Sequence, residues 1–188
     1  MVIFMKNKIL AVAVTAILAG ASINTAQAVG SDTTVSGGVV NFTGSVVDAA
    51  CAVNADSINQ TVQMGQVRLK RMNAEGATSG TKVPFNIILQ DCETSVSSQV
   101  AVTFKGTTDA TVTTALANTA GQGAAQQVAL QLYDQAGAEL TPGIEQTTPF
   151  TLHDGINNLA FSVDYVATGD TATAGIVSGT TTFDLHYQ

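Results

Sequence analysis

Few residues in this chain could do covalent or proton-transfer chemistry. Its 188 residues hold two cysteines, Cys51 and Cys92, and two histidines, His153 and His186. A multi-ligand zinc or iron–sulfur site needs more ligands than that, so neither a metal nor another cofactor is expected. A nucleophile–base–acid set can be assembled on paper from Ser162, His153 and Asp154. Yet His153-Asp154-Gly155 reads as a loop, and no Gly-x-Ser-x-Gly elbow is present to expose a serine. His186 alternates with the apolar residues of the C-terminus, as a solvated strand residue does. No catalytic residue is assigned, and the chain reads as a non-enzyme.

The chemistry open to Cys51 and Cys92 depends on the compartment. Lys6 and Lys8 make a positive leader, residues 9–19 (ILAVAVTAILA) are apolar, and Ala26-Gln27-Ala28 is a small-x-small cleavage site. The apolar run is too short for a membrane span, which takes about 20 residues. The three features together predict a secretory signal peptide over residues 1–28, with translation from Met1 or Met5. In an oxidising compartment two thiols of one small domain pair, and Cys51–Cys92 is the expected disulfide. The alternative, a catalytic thiol, would need His153 or His186 beside it as base.

Composition then limits the elements that can hold these residues. Apolar residues are 45% of the chain and charged residues only 11%, less than half the usual share of about 25%. Val, Thr and Gly in place of Leu, Glu and Lys argue for β-structure. The net charge is −7. Loss of Lys6 and Lys8 leaves five basic against fourteen acidic residues in a 160-residue mature chain, a charge of −9. Phosphate binding needs clustered cations, so nucleic acid is an unsuitable partner. Three of the five mature cations, Arg68, Lys70 and Arg71, fall in residues 66–72 (QVRLKRM), read as one or two helical turns with a solvated face. The triplets at Asn41 and Asn59 would matter only in a eukaryotic secretory path, and a Thr-rich chain produces such triplets by chance.

Hydrophobic alternation has period two. Val128, Leu130 and Leu132 alternate with Ala129, Gln131 and Tyr133. Leu159, Phe161, Val163 and Tyr165 alternate with Ala160, Ser162 and Asp164. Phe183, Leu185 and Tyr187 alternate with Thr182, Asp184 and His186. One side of each strand should enter a core and the other should meet water. Residues 83–89 (VPFNIIL) form a more continuous strand, with Pro84 marking its start or a sheet edge. Asp134 to Gly137 is a turn between hairpin arms. Loops are expected at 73–81, 107–126 and 168–175. Short strands, frequent turns and one inter-strand disulfide predict an all-β, immunoglobulin-like antiparallel sandwich, though without the Trp of antibody domains.

Both ends look unpaired. Residues 29–38 (VGSDTTVSGG) are either a floppy leader or, with period two, a strand whose face is Ser31, Thr33, Val35, Gly37 and Val39; they run into an expected strand at residues 39–42. The C-terminus keeps β alternation to Gln188, so its last strand is either tucked inside its own sheet or has an edge in need of a partner.

At this point the chain resembles a chaperone–usher fimbrial pilin, most closely a type 1 fimbrial major subunit. The stretches that carry the likeness are residues 39–53 (VVNFTGSVVDAACAV), 60–67 (QTVQMGQV), 75–78 (EGAT), 85–92 (FNIILQDC), 161–169 (FSVDYVATG) and 181–188 (TTFDLHYQ). Family members carry a Gly fourteenth from the end and a penultimate Tyr, here Gly175 and Tyr187. Residues 107–126 match less clearly.

The resemblance implies an incomplete immunoglobulin-like sandwich lacking its last strand, which a donor strand completes. Residues 29–38 would be the donor-strand extension and 39–188 the pilin domain. A periplasmic chaperone would fill the groove first, and at the outer-membrane usher the next subunit's extension would replace it. Gly175, Phe183, Leu185 and Tyr187 would form the groove edge, and the Gln188 carboxylate would anchor basic chaperone residues. The product would be a homopolymeric rod on the cell surface, joined to minor fimbrial subunits and serving adhesion. A single-domain adaptor near the tip is the alternative role. A two-domain adhesin is not, since 160 residues hold only the pilin domain.

Overall fold

In the computed structural model, residues 33–188 are described. The signal peptide with Lys6 and Lys8, its cleavage site, the choice of Met1 or Met5, and Ser31 lie outside the described residues. The chain divides into two units, Met1–Thr43 and Gly44–Gln188.

In the first unit, residues 33–43 form no strand, and Val35, Val39, Val40 and Phe42 are exposed. The strand expected at 39–42 is therefore not formed. Among the described residues no strand pairs with residues 39–42, and β propensity alone does not hold a strand in water.

The regular elements of the second unit are strands apart from one short helix and one 3-10 turn. Its strands are β1 (Ala52–Val53), β2 (Val83–Cys92), β3 (Gln99–Lys105), β4 (Leu116–Ala117), β5 (Val128–Tyr133), β6 (Glu139–Leu140), β7 (Phe150–Thr151), β8 (Gly155–Ala167) and β9 (Thr182–Tyr187). One sheet has the order β1-β2-β8-β5-β4, with β6 paired to β5; the other is β7-β3-β9. All these ladders are antiparallel. Their inner faces share a single core that includes Ile87, Leu89, Val102, Leu130, Leu132, Leu159 and Val163. This is the expected immunoglobulin-like sandwich. With no Trp, bulk comes from phenylalanines: Phe104 and Phe161 meet edge-to-face at 5.0 Å, with Phe85, Phe150 and Phe183 around them.

The Cys51–Cys92 disulfide is present. It ties the residue before β1 to the last residue of β2, so it joins neighbouring strands of one sheet. A loop of 41 residues closed this way stabilises the fold by about 4 kcal/mol through loss of unfolded-state entropy.

Two expectations need correction. Gln131, Tyr133 and Asp164 do not face water; all three are buried. Other segments lie over the outer face of the larger sheet: Ala115 and Val112 pack with Ala129 and Val166. The buried polar groups are satisfied there, as burial demands. Gln131 Nε2 donates to the Thr114, Leu132 and Leu140 carbonyls, and Asp164 accepts from Ser79 Oγ and from the Gly80 and Tyr165 amides. Likewise, residues 107–126 are not wholly loop, since they contain β4.

Other expectations hold. Asp134 to Gly137 is the β5–β6 turn, closed by Gly137 N–H to the Asp134 carbonyl at 3.0 Å, with Gly137 at φ 85°. Pro84 is the second residue of β2. Residues 66–72 contain one 3-10 turn, Leu69–Arg71. A short helix, α1 (Ala55–Ile58), capped by Asn54, has no counterpart in the sequence reading.

Candidate functional site: the open edge of the last strand

The register of β9 follows from two hydrogen bonds. Gln99 and Gln188 exchange both N–H to carbonyl bonds, so they are a hydrogen-bonded pair. Pairs alternate along an antiparallel ladder. His186 and Asp184 therefore bond to β3, while Tyr187, Leu185 and Phe183 sit opposite Val100, Val102 and Phe104 as non-bonded pairs. The N–H and C=O groups of these three residues point to the other side of β9. Among the described residues no strand pairs there. The side chains of the same three residues are half-buried and pack against the core. Each thus presents an unpaired backbone outward and an apolar wall inward.

Tyr187 also ties this edge to the disulfide, because its hydroxyl donates to the Cys51 carbonyl at 3.2 Å. Burial pushes its phenol up from the ordinary value. The Gln188 backbone oxygen accepts from Ser97 Oγ and the Gln99 amide. Its carboxamide donates to Glu145, which also bonds His186 Nδ1 at 2.8 Å.

The other long edge, along β2, is blunted. Pro84 has no N–H to offer. Ser57 Oγ accepts from the Ile88 amide, the Ile88 carbonyl takes the Asn54 amide, and Gln60 Nε2 reaches the Asn86 carbonyl. An open cleft of about 570 Å³ remains between residues 56–63 and this edge. The β4 and β7 strands have two residues each and offer little ladder.

The structure separates Gly175 from the other edge residues. Gly175 precedes β9 by seven positions, and a Cβ there would lie 2.3 Å from the Ala125 amide nitrogen. Its role is a close backbone approach to Ala124–Ala125, next to the Ala124–Ile176 bridge. Thr33, Val35, Gly37 and Val39 lie in the strand-free segment, with Val35 78% and Val39 86% exposed. Val62, Met64 and Val67, which are half-buried against the core in a stretch outside any strand, were not singled out by the sequence reading. The alternation of Val62 and Met64 with Thr61 and Gln63 was the available signal.

His153, Asp154 and Ser162 do not converge. His153 is exposed with its amide on Asn157, Asp154 accepts from Thr94, and Ser162 lies within β8. Among the described residues no helix is long and apolar enough to cross a membrane, and no group of His, Cys, Asp and Glu could hold a metal.

Comparison with known proteins agrees with this geometry. A family model described as "Fimbrial protein" matches residues 40–188. The type-1 fimbrial protein A chain of Escherichia coli K12 is 46% identical, over 98% of this chain and all of the relative. A type 1 fimbrial subunit of Klebsiella pneumoniae is 43% identical over the same shares. Among solved structures, a chaperone–usher pilus subunit superposes with a TM-score of 0.66 at 26% identity, covering 83% of this chain and 99% of that one. The P pilus rod subunit PapA shares the fold, with a TM-score of 0.62 over 74% of this chain and all of its own. An all-β sandwich with one unpaired C-terminal edge, matched along nearly its whole length, belongs to the fimbrial protein family, as a chaperone–usher pilin of type 1 that is a structural subunit of surface pili and not an enzyme.

Proposed function

We propose that the chain is the rod-forming major subunit, polymerised by donor-strand exchange. One observation carries this reading: Phe183, Leu185 and Tyr187 aim unpaired backbone groups outward and apolar side chains inward along the same edge. A strand laid there would gain a ladder and a floor together. Chaperone–pilin pairing is among the known cases of such strand addition. Val62, Met64 and Val67 are half-buried against the same core. The donor is residues 29–38 with Val39, and Ser31, Thr33, Val35, Gly37 and Val39 are its inward face. Val35 and Val39 have apolar area to bury, and Gly37 is the small residue for a narrow passage. Burying a Val contributes about 1.5–3 kcal/mol, and each backbone bond adds roughly 0.5–1.5. The pilin domain spans 39–188.

In this reading the leader, residues 1–28, sends the chain to the periplasm. There a chaperone covers the β9 edge and meets the Gln188 carboxylate with basic residues. The outer-membrane usher then exchanges chaperone for subunit, and minor fimbrial subunits complete the surface organelle. Deleting residues 29–38 tests the assignment. The shortened subunit should still co-purify with its chaperone but should not donate, so fibres should fall to background. Normal fibres from the deletion would overturn the assignment of the donor.

A further inference from the structure

Cations are scarce in this chain, and their placement is uneven. Of the five in the mature chain, Lys105 is paired with Asp184, and Lys82 lies over the Tyr133 ring at 3.4 Å. The other three, Arg68, Lys70 and Arg71, are all exposed at the 3-10 turn. Arg71 donates to the Ser79 carbonyl, and among the described residues none of the three pairs with a carboxylate. Leu69, between them, is 40% exposed. The turn is tied to the C-terminal half of β8, since Ser79 in turn donates its amide to the Tyr165 carbonyl.

The other end of β8 has the opposite character. Asp154 immediately precedes β8 and accepts from the Thr94 amide and hydroxyl. Asp91 and Glu93 flank Cys92, which pairs with Gly155. All three acids are exposed, and among the described residues no Lys or Arg pairs with them. Beside them are two exposed aliphatics, Val96 at 64% and Ile156 at 76%. Gly155 and Tyr165 are ten strand positions apart, about 33 Å at some 3.3 Å per residue. The basic turn and the acidic patch of one molecule are too far apart to meet.

We infer that the Arg68-Leu69-Lys70-Arg71 turn docks on the Asp91, Glu93, Asp154, Val96 and Ile156 patch of a second copy of this chain. Leu69 lies against the exposed aliphatics, and the cations meet the carboxylates around them. An apolar centre with a charged rim is the ordinary anatomy of a protein interface. Among the other acids, Asp184 and Glu145 are engaged by Lys105 and His186, and Asp134 and Asp164 are buried; the acceptor is marked out by three exposed carboxylates next to the exposed Val96 and Ile156. Copies with a mature charge of −9 repel one another unless their basic surface meets an acidic one. The two patches differ, so the contact is heterologous and need not close, as a filament requires. The contact uses neither β9 nor residues 29–42, and so is separate from strand exchange, although it rests on the reading of the chain as a polymerising subunit.

Zero-length carbodiimide coupling of sheared native fibres, read by peptide mass spectrometry, tests it without any variant. The lysines of the mature chain are Lys70, Lys82 and Lys105. Lys70 should be joined to Asp91, Glu93 or Asp154 in fibres, and these links should vanish in depolymerised subunits. Lys105–Asp184, an ion pair within one molecule, should be joined in both and serves as the control. Fibres that give the control link but none from Lys70 to the three acids overturn the proposal. As a second arm, Lys70→Glu should reduce fibre yield several-fold, and adding Glu93→Lys should restore it; a double variant no better than the single one counts against the pairing. A natural chain that makes no fibres at all would sink the polymer reading, whereas fibres without the Lys70 links would sink this contact alone.

Discussion

Tyr187 is one residue from the end of the chain, yet its ring packs on the core and its hydroxyl holds the Cys51 carbonyl. Tyr187→Phe keeps the ring and removes the hydrogen bond. It should destabilise the isolated subunit by about 0.5–1.5 kcal/mol in urea unfolding at neutral pH. The pH dependence carries a second signature. Burial raises this phenol above its ordinary value, and desolvation followed by a nearby carboxylate raises Tyr133 (Glu139) and Tyr165 (Asp164) as well. For a group raised in the folded state, the stabilisation is intact below the unfolded value near 10 and fades as pH climbs through the folded one. The parent should therefore lose stability above about pH 10, and the Tyr187→Phe variant should lose less over the same range. An unchanged alkaline limb would mean that Tyr187 is solvated in the folded subunit. Asp154 behaves oppositely: the amide and hydroxyl of Thr94 lower its carboxyl, and that contribution fades as pH falls.

Elements of this fold divide by whether their reason for existing lies within their own sequence. The strands β5, β8 and β9 were legible because alternation in Val, Leu, Phe and Tyr is enough to bury one face. What covers the other face was not legible. The segments over Gln131 and Asp164 have no periodicity, so two buried polar residues read as solvated ones. Four-residue α1 is too short for a helical period to show. Residues 39–42 have strand composition but form no strand among the described residues, and residues 61–64 have alternation but no ladder. Gly175 and Tyr187 read alike as marks of a family, while the geometry gives them different work. If the open β9 edge is the acceptor, strand supply can be separated from the rest of the chain. A synthetic peptide of residues 29–42, added to a subunit lacking residues 29–43, should raise its melting temperature. At a hundredfold excess over Kd the gain is about 2.7 kcal/mol, or roughly 5–11 °C for a domain of this size. A peptide with Gly37→Leu should do less at equal concentration. Equal melting curves with and without the natural peptide would remove residues 29–42 as the donor.

At the scale of the whole molecule, the proposed strand exchange would make stability a property of the neighbour as much as of the chain. Among the described residues no strand pairs with the outer side of β9, and the side chains of Phe183, Leu185 and Tyr187 are half-buried, while the disulfide limits the unfolded ensemble. Domains of this kind have about 5–15 kcal/mol in all. On the proposed exchange, a neighbour's strand that buried Val35 and Val39 and completed a ladder would add an amount of similar order. Such a strand would have to give up these contacts before water or another strand replaced them, so most of that amount would belong to the barrier for dissociation. Some 4 kcal/mol in such a barrier slows escape about a thousandfold. Sheared fibres and isolated subunits placed in the same concentration of guanidinium, followed by far-UV circular dichroism, should therefore part company. The subunits should unfold at least a thousand times faster, and the fibres should decay without an intermediate of intact free subunits. Matching rates would place the stability of the fibre inside each subunit and leave the open edge of β9 without an energetic role in assembly.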